Sequence, residues 1–161
     1  MADKVTKSNF LSESHNNVVE LLKNNVSNPA GLKKWVYSRR PDIKSLSFKG
    51  FPFVVVYPTT LSFPKRMSLN GQKKSVSFGI EIEIISQDSI NTKGKGLYYL
   101  DALSDSIIEQ LNGESNRQTL RQNGLFFSNP EVSSVSVEDW HNSLIYTRTI
   151  LLTLKNVTGV F

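Results

Sequence analysis

From Val76 to Ile84 the chain alternates strictly. Val76, Phe78, Ile80, Ile82 and Ile84 are apolar, and Ser77, Gly79, Glu81 and Glu83 stand between them. A strand sends successive side chains to opposite faces, so this pattern predicts a strand with the core on one side only. Phe51 to Tyr57 reads differently. Phe53, Val55 and Tyr57 occupy one face and Val54 and Val56 the other, which predicts an interior strand covered on both sides and closed by Pro58. Leu46 and Phe48 predict a short strand ending at Gly50. Near the C-terminus, Val135 and Val137 lead towards Trp140 as one strand. A turn at His141-Asn142 joins it to a last strand from Leu144 to Leu154. Leu144, Tyr146, Ile150, Leu152 and Leu154 share a face there. Arg148 falls on that face and breaks it, which leaves three readings: a bulge, an acidic partner, or a contact with a neighbouring subunit.

Two segments carry helical spacing instead. Val18, Leu21, Leu22 and Val26 follow Ser14, a residue type that can cap a helix, and Asn28-Pro29 ends the run because proline disfavours helix at the residue before it. Phe10 and Leu11 are expected to fold back onto this helix. Leu97, Leu100, Leu103, Ile107, Ile108 and Leu111 predict the second helix, with Gly113 placed as its C′ glycine. Ser115 to Gln122 predicts a short third helix, with Gly124 after it.

Thr59 to Lys74 has neither period and holds Pro64, Lys65, Arg66, Asn70-Gly71, Lys73 and Lys74. Structureless loops beyond roughly 12–15 residues are uncommon in compact domains, so a long arm or an extended hairpin is expected here. Residues 1 to 12 are expected to be flexible. The whole chain, 1–161, is read as a single domain. The fold class expected is α+β: a mostly antiparallel four- to five-stranded sheet flanked by two main helices, with a long extended arm or hairpin.

Composition narrows the chemistry more than it names it. Cysteine is absent, which excludes disulfides and thiolate metal sites. No apolar run approaches the roughly 20 residues that span a bilayer, and the N-terminus lacks the apolar stretch of a signal peptide. The protein is therefore expected to stay in the compartment where it is made, with no membrane partner. The formal net charge is +5, which favours anionic partners without concentrating the cations in one block.

Catalytic constellations are hard to find. His15 and His141 are the two histidines, and neither has a second histidine at zinc-type spacing. Both are read as solvated. Glu81 and Glu83 share a face and could serve acid–base work or bind a cation, but a solvated sheet face or an ion pair explains them better. Gly94-Lys95-Gly96 lacks the spacing of either glycine-rich phosphate motif and is read as a helix start with a glycine hinge. Lys33, Lys34, Trp35, Tyr37, Arg39 and Arg40 form the densest basic and aromatic stretch. Such a stretch suits a protein interface, a nucleic-acid surface, or a core Trp35 with solvated neighbours. No enzyme activity and no cofactor are expected.

The order of these features resembles the tail terminator (tail completion) proteins of bacteriophages with long non-contractile tails. The resemblance is carried by the first helix with Val18, Leu21 and Leu22, the apolar strand Phe53 to Tyr57, the basic arm, and the strand Ser77 to Gln87. The polar hinge Asp88 to Gly96, the helix Leu97 to Leu111 and the closing strand Tyr146 to Leu154 complete it. It implies a virion protein assembled in the host cytoplasm, of a kind whose free subunits are often monomeric. On the tail it would form a sixfold ring over the head-proximal end of the tube. Its partners would be copies of itself, the tail tube protein and a head connector or neck protein, with DNA only as passing cargo. On this view Lys65, Arg66, Lys73, Lys74, Trp35, Tyr37, Arg39 and Arg40 are candidates for subunit or partner contacts. Glu81 and Glu83 are candidates for a channel lining that repels DNA. A strand at Val76 to Ile84 could sit at a sheet edge and pair across subunits. A head–tail joining protein and a small basic nucleic-acid-binding domain are the competing readings.

Overall fold

The computed structural model describes residues 10–43, 50–62, 74–89, 95–140 and 143–158. Among these described residues, three helices and seven strands follow in the order α1 (Phe10–Asn25), β1 (Val36–Tyr37), β2 (Phe53–Ser62), β3 (Lys74–Ser89), α2 (Lys95–Asn112), α3 (Glu114–Gln122), β4 (Phe126–Phe127), β5 (Glu131–Val132), β6 (Ser136–Trp140) and β7 (Ser143–Thr158). All seven strands form one sheet in the order β1-β2-β3-β7, with β4, β5 and β6 paired in turn along the far side of β7. The fold is α+β. The sheet is antiparallel except where β1 runs parallel to β2. It is five positions across, as expected, but counts more strands than four or five because β1, β4 and β5 are two-residue pairings too short to show a period.

One face of the sheet is dry. Val54, Val56, Ile80, Ile82, Ile84, Ile150, Leu152 and Leu154 are all fully buried there, and the register places Val56, Ile82 and Ile150 side by side. Helix α2 lies on this face and contributes Leu100, Leu103, Ile107 and Leu111. Helix α1 packs beside it against β1 and β2, with Val18 and Leu22 fully buried. Arg148 also stands on this face, opposite Ile84. Its guanidinium donates to Asp101 of α2 at 2.9 Å, so of the three readings of this position the acidic partner holds.

Several local expectations need correcting. Ser14 is not a cap. The helix begins at Phe10, and Ser14 is fully buried one turn before Val18, where it continues the apolar stripe. Pro58 does not end β2. Pro58 stays in the ladder opposite Ile80, the register shifts between Pro58 and Thr60 with Thr59 as the extra residue of a bulge, and the strand then continues to Ser62. The segment expected as a loop from Thr59 to Lys74 therefore begins and ends in strands. Gly113 is not a left-handed C′ residue; it is extended, with φ −65°, and caps the start of α3. Gly124 does take that role, with φ +90°. Its N–H bonds Arg121 O and the N–H of Leu125 bonds Leu120 O, the paired bonds of a Schellman ending. The predicted strand at Leu46 and Phe48 lies outside the described residues, as do Lys65, Arg66, Lys73 and His141.

β3 is not an edge strand. It pairs along its length with β7, and from Ser77 to Ile85 with β2 on the other side, so over that stretch it has no open side to offer a neighbouring subunit. The reason is in the sequence: with both flanking strands long and apolar, the half-buried strand gains most in the middle.

Candidate functional site

The second face of the sheet is wet, as an antiparallel sheet allows. Glu81, Glu83, Gln87, Thr147, Thr149, Leu151 and Thr153 are all partly exposed on it. Its β1 end is drier. Phe53 and Val55 are buried there, and Tyr37 meets Phe53 edge-on at 5.5 Å. At the boundary between these two zones lies a constellation of polar side chains.

Register builds this constellation. Tyr57 stands opposite Glu81 and Val55 opposite Glu83, so all four point the same way. The Tyr57 hydroxyl lies 2.6 Å from Glu81 Oε2 and 3.1 Å from Glu83 Oε2. A phenol has one proton, so it donates to one carboxylate at a time and holds the two together. Arg40 comes from the chain just after β1 and places Nη1 3.6 Å from Glu83 Oε1. The arginine side chain is half exposed, while that of Glu83 is only 14% exposed. A groove of about 380 Å³ opens above, lined by Ser38, Arg39, Arg40, Val55, Tyr57 and Glu83.

Burial, then the hydrogen bond to Glu81 and the charge of Glu83, push the Tyr57 pKa well above its ordinary value. The folded protein thus keeps a proton that the unfolded chain gives up near pH 10. The contribution to stability is complete below about pH 10 and is lost as the pH rises beyond it. We expect Tyr57→Phe to cost about 1.5–3 kcal/mol at pH 8, the usual worth of a hydrogen bond to a charged acceptor. It should also flatten the alkaline fall in stability. Urea unfolding at pH 8 and pH 11 measures both, and an unchanged alkaline slope in the variant would mean that the phenol is not held in this way.

This arrangement positions charge. A phenol locked between two carboxylates is a poor acid or base near neutrality. Among the described residues no group of three histidine, aspartate or glutamate side chains is arranged to hold a metal ion. No helix among them is long and apolar enough to cross a membrane.

The residues expected to meet partners divide. Trp35 is only 6% exposed and belongs to the core, where its carbonyl accepts the N–H of Val54 at 2.8 Å. The core reading of this tryptophan replaces the contact reading, because a residue this covered has no surface to offer. Tyr37 is half-buried, with Lys34 Nζ 5.6 Å above its ring. Lys33, Lys34, Arg39 and Arg40 are exposed along the β1 edge. Lys74 opens β3 opposite Thr158. Glu81 and Glu83 do not present bare carboxylates, since Tyr57 and Arg40 hold them. His15, expected to be solvated, is partly buried, and its Nε2 donates to the Val56 carbonyl at 2.8 Å. It covers the edge of β2 just where β1 stops.

Sequence reasoning passed over a second charged edge. Glu131, Glu138 and Asp139 are all exposed on β5 and β6. Spread over nine residues, they form no block in the sequence; only the shared pairing with β7 lines them up. No protein-family model matches the chain, and no curated protein matches it.

Proposed function

We propose that this chain is a structural assembly protein of a phage tail. It would form a ring that caps the head-proximal end of the tail tube, stops tube polymerisation and offers a docking surface to the head connector. It works by contact, without a reaction of its own and without a cofactor. The virion is its final location.

One observation carries the reading beyond the resemblance. β3 and β7 are each 16 residues long and pair from Lys74↔Thr158 to Ser89↔Ser143. At 3.2–3.4 Å per residue each spans roughly 50–55 Å. A compact domain of this length has a radius of gyration of roughly 15 Å and so a diameter of about 40 Å. The ladder is longer than the diameter of such a body. Leu154 is the last buried residue described on β7, and the ladder continues past it through Lys155 to Thr158. β2 runs alongside as far as Ser62↔Ser77. The segment with Lys65, Arg66 and Lys73 joins β2 to β3 at this same end. A stiff ribbon with a basic segment at its end is suited to reach a neighbouring subunit or the tube.

The test is negative-stain microscopy of the purified protein mixed with purified tail tubes. Rings on one tube end are expected. Replacing Lys65, Arg66, Lys73 and Lys74 with alanine should leave the fold and its melting temperature intact and reduce the fraction of capped ends several-fold. Wild-type protein that ignores tube ends but binds a purified head connector would move the assignment to a head–tail joining protein.

A further inference from the structure

We infer that copies of this chain join side by side through opposite edges of the sheet, the acidic β5–β6 edge of one against the basic β1 edge of the next. This deepens the ring proposed above and rests on it.

The two edges are electrostatic opposites. Around β1, residues 31–43 carry Lys33, Lys34, Arg39 and Arg40 against a single acid, Asp42. All four cations are exposed. Along the other edge, residues 126–140 carry Glu131, Glu138 and Asp139 and no cation at all. These three acids are exposed too. The sheet order separates the edges by β2, β3 and β7, about 19 Å at the usual strand spacing. Each molecule thus carries both halves of a complementary pair, facing away from one another.

The acidic edge also has apolar surface to bury. Val132, Val137 and Leu144 are exposed there. Val132 stands opposite Ile150 and Val137 opposite Tyr146, so these side chains share the dry face of the sheet beyond the area that α2 covers. Leu97 and Tyr98 in the first turn of α2 are exposed as well. That turn abuts Gln87 and Asp88, and Asp88 is the β3 partner of Leu144. Asp139, opposite Leu144, shares the face of these apolar residues, while Glu131 and Glu138 project from the other face, so the edge joins apolar surface on one side to acidic charge on the other, the mixed composition of an interface.

Charge identifies the occupant. An acidic edge repels nucleic acid, whereas the matching cations stand on the opposite edge of the same protein. Contact between two different edges is heterologous. It leaves an open acidic edge and an open basic edge on every pair, so growth continues until a ring closes. A two-fold dimer would bring like charges together.

Sedimentation equilibrium at low ionic strength and high protein concentration tests this. Four proteins are needed: the wild type, E131K/E138K/D139K, K33E/K34E/R39E, and the variant combining all six changes. All positions are exposed, so folding should be unaffected, and circular dichroism checks it. Wild-type association should weaken about ten-fold or more in either triple variant and in high salt. It should return in the six-fold variant, and a mixture of the two triple variants should associate by alternation, because each edge of one then meets an oppositely charged edge of the other while neither associates alone. Association that is absent in the wild type, insensitive to both reversals, or not restored by combining them overturns the inference. The tube assay separates this from the function. Capping by the wild type and by both triple variants alike would leave the terminator reading standing and remove the edge contact. Charge-dependent association without capping would do the reverse.

Discussion

Ile82→Ala is expected to cost about 3–4 kcal/mol, measured by urea unfolding, while Val137→Ala costs under about 0.5 kcal/mol. The two residues are similar in chemistry and both lie in strands. What differs is their surroundings. Ile82 is fully buried in the central strand, between Val56 and Ile150 and beneath α2. Removing its outer carbons leaves a hole that neighbours on three sides cannot fill without breaking the ladder. Val137 is 55% exposed on the outermost strand, and its truncation opens no cavity. Domains are stable by only about 5–15 kcal/mol, so the Ile82 change removes a large share. For a chain of this size it should lower the melting temperature by about 10 °C. A comparable loss at Val137 would mean that this corner is already buried, which is the outcome expected only once a second copy covers it.

Most of the core was legible because it rests on periods that the sequence displays. Alternation from Ile80 to Ile84 and helical spacing from Leu100 to Leu111 each survive as buried faces. What was not legible has a common physical cause: it depends on which strand lies next to which. Local pattern marks Val76 to Ile84 as half-buried, but it cannot say that β7 pairs along one side and β2 along the other. The idea of an exposed β3 edge failed there. The same blindness hid the acidic edge. Glu131 and Asp139 sit eight residues apart and align only because β5 and β6 both lean on β7.

The polar constellation was half visible. That Glu81 and Glu83 share a face follows from their spacing. That Tyr57 would bridge them required the register of β2 on β3, and that Arg40 would reach Glu83 required the turn after β1. Trp35 shows the opposite error. Its neighbours are cations, and their company suggested a contact surface. The tryptophan itself is buried, and the cations alone face outward.

Gly96→Ala supplies the sharpest test of how α2 meets the sheet, because two readings differ in sign. If Gly94-Lys95-Gly96 were an open hinge, alanine at 96 would stabilise the protein by about 0.5–1 kcal/mol through a less flexible unfolded chain and a better helix former. The structure places Gly96 in the first turn of α2, buried against β3. A Cβ there would lie 2.7 Å from Asp88 Cβ, 2.8 Å from Asp88 N and 2.8 Å from the Gln87 carbonyl carbon. Two of these are backbone atoms held in the ladder with β7, so they cannot swing aside as a side-chain tip can. The helix must lift, and lifting it loosens Leu100 and Leu103 as well. Overpacking of this kind costs about 1–3 kcal/mol, more than the helix preference returns. We therefore expect Gly96→Ala to lose about 2 kcal/mol by urea unfolding and Gly96→Val to lose more. A gain in stability from Gly96→Ala would show that the helix start stands clear of the strand. In that case the exposed Leu97 and Tyr98 could no longer be assigned to the same corner as Leu144.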